Sequence, residues 1–442
     1  VLLKKVNRFV KKRDYALLAS LLDGLREFLD PDQSPEAQKF WTAFIADCQI
    51  VAEDRLRRGR INSLWGVTPI ANLSAQVAAD RALNVNAKTL VFNTYYTTSD
   101  FDFVFTEIQD RVIAERGQDL YLFRWLVLMW ALASFDIFHL FNDRGIVEPA
   151  GGYGSSRFGI AVREMEIYRC AGKRLYTYAY GADHRMRNKT LALGKWSFCS
   201  ECPAPGSYCV CDDHGGGKML EVIRKYSTAV VAHGLAIKMI PGARNVPYLT
   251  VDVGKLHPRP PVRHSRDKFV VGHFPNHPYF KGTSYLENAI RNLQAEGRPI
   301  ELSLLSGKPN DEILAAMREV DVLVDQLVSG SFGLTAVEAM GMGCPVICYL
   351  HAGVDVADLE ACPIIPANPD TIENVLRSLM SDFTRLSAAG AAGPGYVRKN
   401  YSIEALAKHL SALYIETAAL PWYVRAKMGE TAKSLDPGAY QS

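Results

Sequence analysis

Glu338 is a carboxylate in a segment that offers nothing to neutralise it. The segment Asp321–Tyr349 reads DVLVDQLVSGSFGLTAVEAMGMGCPVICY. It opens on the apolar run Val322–Val324 and passes through a polar, glycine-containing loop, Asp325–Ser331. A short helix is expected over Phe332–Met342, with Ser331 as N-cap, Gly343 as terminator and Pro345 just beyond. On that helix the neighbours of Glu338 are Leu334, Thr335, Gly341 and Met342, all uncharged. A buried, unpaired carboxylate is costly, so hydrogen-bond donors must reach it from elsewhere. Sugar or ribose hydroxyls are one source; backbone or an arginine of another segment is the other. The first turn of such a helix carries unpaired N–H groups and a partial positive charge, which suits an anion. Gly333 leaves space for a phosphate to come close.

Other residues bear chemistry on their own terms. Lys281, in the loop NHPYFKGT, is a point charge suited to phosphate, or else a solvated lysine. His139 ends an apolar run, FDIFHLFND, at the carboxyl end of an expected strand, where open α/β sheets place ligands. A core histidine bonded to backbone is the plainer alternative. Asp183 and Arg185 follow another strand end. Asp183 can accept from hydroxyls and Arg185 can pair with it or with a phosphate, or the two form a structural ion pair. Cys199, Cys202, Cys209 and Cys211 lie close together in a Pro/Gly/Ser-rich insert. Two such thiolate pairs can hold a structural zinc, although the six-residue gap is short for a zinc ribbon; disulfides and free thiols are the alternatives. The stretch Gly151–Ser156 is glycine-rich without dinucleotide-fingerprint spacing.

The elements that would position these groups alternate. Strands are expected at Ile61–Trp65, Thr89–Phe92, Phe135–Leu140, Arg174–Tyr178 and Thr228–Val231. A second set is expected at Phe269–His273, Ile300–Leu305, Val322–Val324 and Val346–Tyr349. Helical stretches separate them, and this is the parallel α/β pattern. Gly66–Pro69 reads as the tight loop after the first strand. Residues 1–60 read as helices. In the first of these, Leu2, Leu3, Val6, Phe9 and Val10 recur at helical spacing, with Lys4, Lys5, Arg8, Lys11 and Lys12 on the other faces. Such a helix packs on its own domain with a solvated basic face, or lies on an anionic membrane surface through residues 1–13.

Composition narrows the classes. The chain of 442 residues is long enough for two or three domains. A net charge of +3 gives no ground for nucleic acid as a partner. The apolar run Tyr121–Phe135 is too short to span a bilayer and is broken by Arg124, so a buried helix is expected. The start of the chain does not read as a secretory leader. Nine cysteines, an odd number, do not suggest a disulfide scaffold. The expectation is a cytoplasmic protein, with peripheral contact at the inner membrane face if residues 1–13 bind lipid.

SFGLTAVEAMGMGCPVICY resembles the nucleotide-sugar motif of family 4 (group 1) glycosyltransferases, which have the GT-B fold. The resemblance is clearest over 265–415, weaker over 61–260 and absent over 1–60. It implies an N-terminal extension (1–60) and a Rossmann-like acceptor domain (61–255) with a Cys-rich insert (196–216). A hinge near 250–265, a Rossmann-like donor domain (265–415) and a crossover tail (416–442) follow. It also implies transfer of a sugar, with retention, from a nucleotide diphosphate to a glycan, lipid-linked or protein hydroxyl, without a catalytic cofactor. Lys281, Glu338 and Asp183 would carry the reaction. Lys281, Gly282, Ser331, Phe332, Gly333 and Leu334 would hold the diphosphate, and Glu338 the ribose. His273, Asn276 and His277 occupy the region of an arginine that the family usually has. The family's first glutamate is replaced by Gly330. Asp325 and Gln326, as in a subset of the family, stand ready to take its sugar contact. Gly66, Thr68, His139, Asp183 and Arg185 would face the acceptor. A nucleotide-sugar epimerase, or a non-catalytic binding protein, fits the same donor half.

Overall fold

The computed structural model describes residues 2–95, 97–141, 144–147, 161–181, 186–206, 211, 213–260 and 268–417. Two parallel sheets form its two domains. The first takes β1 (Asn62–Val67), β2 (Asn86–Val91), β3 (Phe103–Val104), β4 (Ile137–Phe141), β5 (Arg174–Tyr178), β6 (Ala229–Ala232) and β7 (Arg244–Asn245) in the order β3-β2-β1-β4-β5-β6-β7. The second takes β8 (Phe269–His273), β9 (Ile300–Leu304), β10 (Val322–Val324), β11 (Val346–Cys348) and β12 (Ile365–Pro366) in the order β12-β11-β10-β8-β9. Both orders reverse at the first strand of the domain, and ligands of open α/β sheets gather beyond the carboxyl ends of strands at such points. Strand burial explains the unbroken apolar runs: β4 and β10 are buried throughout. β3, β7 and β12 are two residues each, too short to leave a pattern in the sequence.

The N-terminal extension is three helices, α1 (Leu2–Lys12), α2 (Tyr15–Leu29) and α3 (Pro35–Arg57). Asp14 caps α2 by accepting from the Leu17 amide, and Ser34 caps α3 by accepting from the Ala37 amide, with Pro35 in its first turn. In the first domain α4 (Leu73–Ala82) follows β1, and α5 (Leu120–Ser134) is the expected buried helix. The extension packs on α5: Trp41 meets Trp125 edge-on at 5.4 Å, and Phe9 meets Phe123 edge-on at 6.4 Å. Val6, Phe9 and Val10 are therefore spent on the domain, while Lys4, Lys5, Arg8, Lys11 and Lys12 stay exposed. Among the described residues no helix is long and apolar enough to cross a membrane.

In the second domain α6 (Pro278–Lys281), α7 (Thr283–Ala295), α8 (Asn310–Met317), α9 (Leu334–Gly341) and α10 (Thr384–Asn400) surround the sheet. The last described helix, α11 (Ile403–Glu416), leaves this domain and packs on α4 of the first. Leu406, Leu410 and Leu413 enter the same core cluster as Val77 and Leu83. The crossing to the first domain thus begins near Ser402, earlier than the expected boundary at 415. The two chain crossings touch, since the Val251 amide donates to the Tyr401 carbonyl at 2.9 Å. Of the tail expected as the crossover, 416–442, all but Glu416 and Thr417 lies outside the described residues.

A cleft between the two domains as a candidate donor site

The loops at the carboxyl ends of β8, β9 and β10 meet those of the first domain around a cavity of about 610 Å³. One wall carries Lys281, Gln326, Ser331 to Thr335 and Glu338; Asn276 and Asn310 complete it. The helix α9 begins at Leu334, two residues later than expected. Gly333 is its N-cap and no side chain caps it; Ser331 instead lends its carbonyl to the Ser329 hydroxyl. The amides of Leu334 and Thr335 belong to the first turn, where no acceptor exists within a helix, and both residues face the cavity. Gly343, with φ of +79°, closes the far end as expected.

Glu338 is only 8% exposed, and Asn310 supplies the donor that its own helix lacks: Nδ2 donates to Oε1 at 2.8 Å. Burial pushes the carboxyl up to about 7, against the pull of Asn310 and then of the Lys281 charge. Asn310 escaped the sequence reading. Its one signal was its place, the first residue of a helix that follows a strand end and Pro309.

Asp325 has a different place from the one expected. Its side chain is wholly buried and does not line the cavity. Oδ1 receives the Lys281 ammonium at 2.6 Å, and Oδ2 the Gly333 amide at 2.9 Å. Asp325 therefore grips two phosphate candidates from behind, and the Gly333 N–H is not available to a ligand. The neighbouring Gln326 does face the cavity. Of the two residues expected at the sugar, Gln326 lines the cavity and Asp325 does not.

His273 is also corrected. It is fully buried, its ring nitrogens taken by the Val324 carbonyl (2.7 Å) and the Thr283 hydroxyl (2.8 Å), and burial depresses it to about 4. It fixes β8 to β10 and touches no ligand site. Gly282, with φ of +78°, serves the turn between α6 and α7 instead of lining the cavity.

On the first-domain side, His139 is a core residue. It stacks on Trp65 at 3.8 Å between centroids and bonds Tyr178 (2.9 Å) and Tyr414 (2.8 Å) through its two nitrogens. Burial lowers its pKa well below the usual range. Gly66 lies inside β1, where a Cβ would strike the backbone of Leu90 on β2. The loop after it reaches the cavity through Pro69, Ile70 and Ala71, and neither Gly66 nor Thr68 lines it. Asp183 and Arg185 lie outside the described residues; Tyr180, Gly181 and Arg187 on either side of them line the cavity. Tyr95 and Thr97 join them there. The Gly151–Ser156 stretch and Cys209 also lie outside the described residues. Cys199, Cys202 and Cys211 line the cavity, yet among the described residues no three His, Cys, Asp or Glu side chains are grouped to hold a metal.

No protein-family model matches the chain. A D-inositol 3-phosphate glycosyltransferase from Corynebacterium efficiens is 30% identical over 139 residues, which are 30% of this chain and 32% of that protein. The chain thus matches about a third of that relative's length. A sucrose-phosphate synthase from Thermosynechococcus elongatus superposes on 81% of this chain and 99% of its own, at 11% identity and a TM-score of 0.51. The fold is GT-B. WaaG, a glycosyltransferase involved in lipopolysaccharide biosynthesis, covers 80% of this chain and 99% of its own at 11% identity and a TM-score of 0.48. The cleft between GT-B domains coincides with the cavity that Lys281, α9 and Glu338 line.

Proposed function

We propose that this protein is a glycosyltransferase that uses a nucleotide-diphosphate sugar. One observation carries the reading: Lys281, the first-turn amides of α9 and the Asn310-held Glu338 share one wall of the interdomain cavity. Two of these suit a diphosphate, and the third suits the ribose diol. In the proposed reaction the bond from the sugar C1 to the diphosphate oxygen breaks. A bond from C1 to the acceptor oxygen forms on the same face, and retention follows. The electron pair stays on the diphosphate, whose oxygen takes the acceptor's proton. Lys281 and the Leu334 and Thr335 amides would offset the charge that develops there, and the cleft would hold the two substrates together. The acceptor is a glycan, lipid-linked glycan or protein hydroxyl entering past Tyr95, Tyr180 and Arg187. If an anionic membrane is involved, the contact is electrostatic, through the exposed lysines of α1, since its apolar face is already packed.

The test is a thermal-shift panel of UDP, GDP, ADP and CDP and their sugars. It is followed by product analysis with an acceptor set. A ligand that binds only the folded chain raises its melting temperature. Free epimerised nucleotide sugar would support an epimerase, and binding without turnover the non-catalytic reading. A structural zinc in the insert rests on the four-cysteine spacing, and elemental analysis checks it: about one zinc per chain is expected. No zinc with four reactive thiols removes it.

A further inference from the structure

Part of the cover over the donor wall comes from the other domain. Residues 193–202 leave the first domain and run across the second. The Gly353 amide donates to His351 Nδ1 at 2.9 Å, so Nε2 carries the proton that the Leu193 carbonyl receives at 2.9 Å. Lys195 reaches one oxygen of Asp370 at 2.6 Å and the Trp196 indole N–H the other at 2.9 Å. Trp196 also meets Tyr285 edge-on at 5.1 Å, and the Tyr285 hydroxyl donates to Glu201 at 2.9 Å. Phe198 lies 5.9 Å from Phe280. Phe280 precedes Lys281 in α6, and Tyr285 is in the first turn of α7. Between these contacts Phe198, Cys199 and Cys202 face the cavity.

We propose that residues 193–202 form a strap that completes the donor site, closing over a bound nucleoside diphosphate and bracing the helices that flank Lys281. This rests on the nucleotide-sugar reading. The contacts themselves suit a reversible strap. Lys195 and Asp370 are 66% and 50% exposed, and ion pairs so placed hold weakly and are screened by salt. A segment fastened in this way can lift to admit a donor. Once closed, it excludes water from the diphosphate, and the Lys281 charge then acts through a lower effective dielectric. Bound ligand in turn gives the strap a second surface to rest on.

The test pairs Asp370→Ala with Tyr285→Phe, two changes on the far side of the contact and near the surface. An unshifted melting temperature confirms the fold. Hydrogen exchange is followed in peptides covering 193–202 and 331–338, with and without the nucleoside diphosphate of the four-base panel that binds best. The nucleotide should slow exchange in both segments of the wild type. The double variant should exchange faster over 193–202 and bind the nucleotide roughly three- to tenfold more weakly, as loss of the three bonds from Lys195, Trp196 and Tyr285 implies. Protection confined to 331–338, or wild-type affinity in the double variant, overturns the strap and leaves the donor site standing. A wild type that binds none of the four nucleotides and gains no protection at 331–338 overturns the donor reading, and the strap with it.

Discussion

Burial holds the Glu338 carboxyl near 7, so it is partly protonated at neutral pH. An ionised carboxylate accepts from ribose hydroxyls better than an acid does, so nucleotide affinity should rise from about pH 6 to about pH 8. Stability runs the other way. An acid whose pKa is raised by folding binds its proton more tightly in the folded state. Its contribution therefore falls as pH rises from 4.5 toward about 7. Glu338→Gln should accordingly weaken nucleotide binding by about 1.5–3 kcal/mol, ten- to hundredfold, and stabilise the protein by about 1–3 kcal/mol at alkaline pH. Calorimetry and thermal melts across pH check both; equal affinity in the two proteins would leave Glu338 a structural group. Asp325 and Gln326 should now separate. Asp325→Ala removes the buried partner of a half-buried lysine, which costs about 3 kcal/mol of stability, and should weaken nucleotide and donor alike. Gln326→Ala should lower turnover with intact donor while nucleotide affinity stays near wild type. The types of these residues were legible in the sequence; their directions were not. Asp325 and Gln326 are adjacent and equally polar, and only the paths of β10 and the loop behind Lys281 turn one inward and the other to the cavity.

At the scale of the element, Gly330 explains its own departure from the two-glutamate motif. Its φ is +77°, and a Cβ there would lie 2.8 Å from Leu235 of the first domain and 3.0 Å from the Cβ of His351. The place a longer side chain would need is filled by the other domain. Gly330→Glu should therefore not restore a sugar contact. It should destabilise by about 1–3 kcal/mol through backbone strain and overpacking, read by denaturant titration; a gain in turnover without loss of stability would refute this. The same close approach accounts for the least legible element. The stretch AAGAAGPG carries three glycines and a proline, residues that ordinarily interrupt a helix, and it lies inside α10. A Cβ at Gly393 would strike the backbone carbonyl of Met340 on α9, so Gly393 is what lets the two helices touch. Strands and the helices between them were legible because burial writes long apolar runs. A helix chosen for thinness writes no such run.

Over the whole molecule, α11 ties the halves together through a buried network. The Tyr414 hydroxyl lies 2.7 Å from Asp80 and 2.8 Å from His139, and Asp80 also receives Ser63 (2.6 Å) and Trp65 (2.9 Å). Tyr414→Phe would leave Asp80 Oδ1 without this donor and His139 Nε2 without its partner, at about 1–3 kcal/mol, with the loss felt in the first domain although the mutation lies near the described C-terminus. Unchanged unfolding of the first domain would show the network to be dispensable. The sequence placed His139 at a strand end and could not show that a helix more than 270 residues later would cover it.

That crossing also decides how such a protein can be recombined. A second domain exchanged between relatives by a single cut near residue 265 would carry α11 away with it and bring a foreign helix onto Asp80, His139 and α4. A cassette bounded by 268 and 400 leaves α11 with the half it covers, and so exchanges the second domain as one unit. The chain is thus modular only as an insertion: one domain is interrupted by the other, and its last described helix is the piece that closes it.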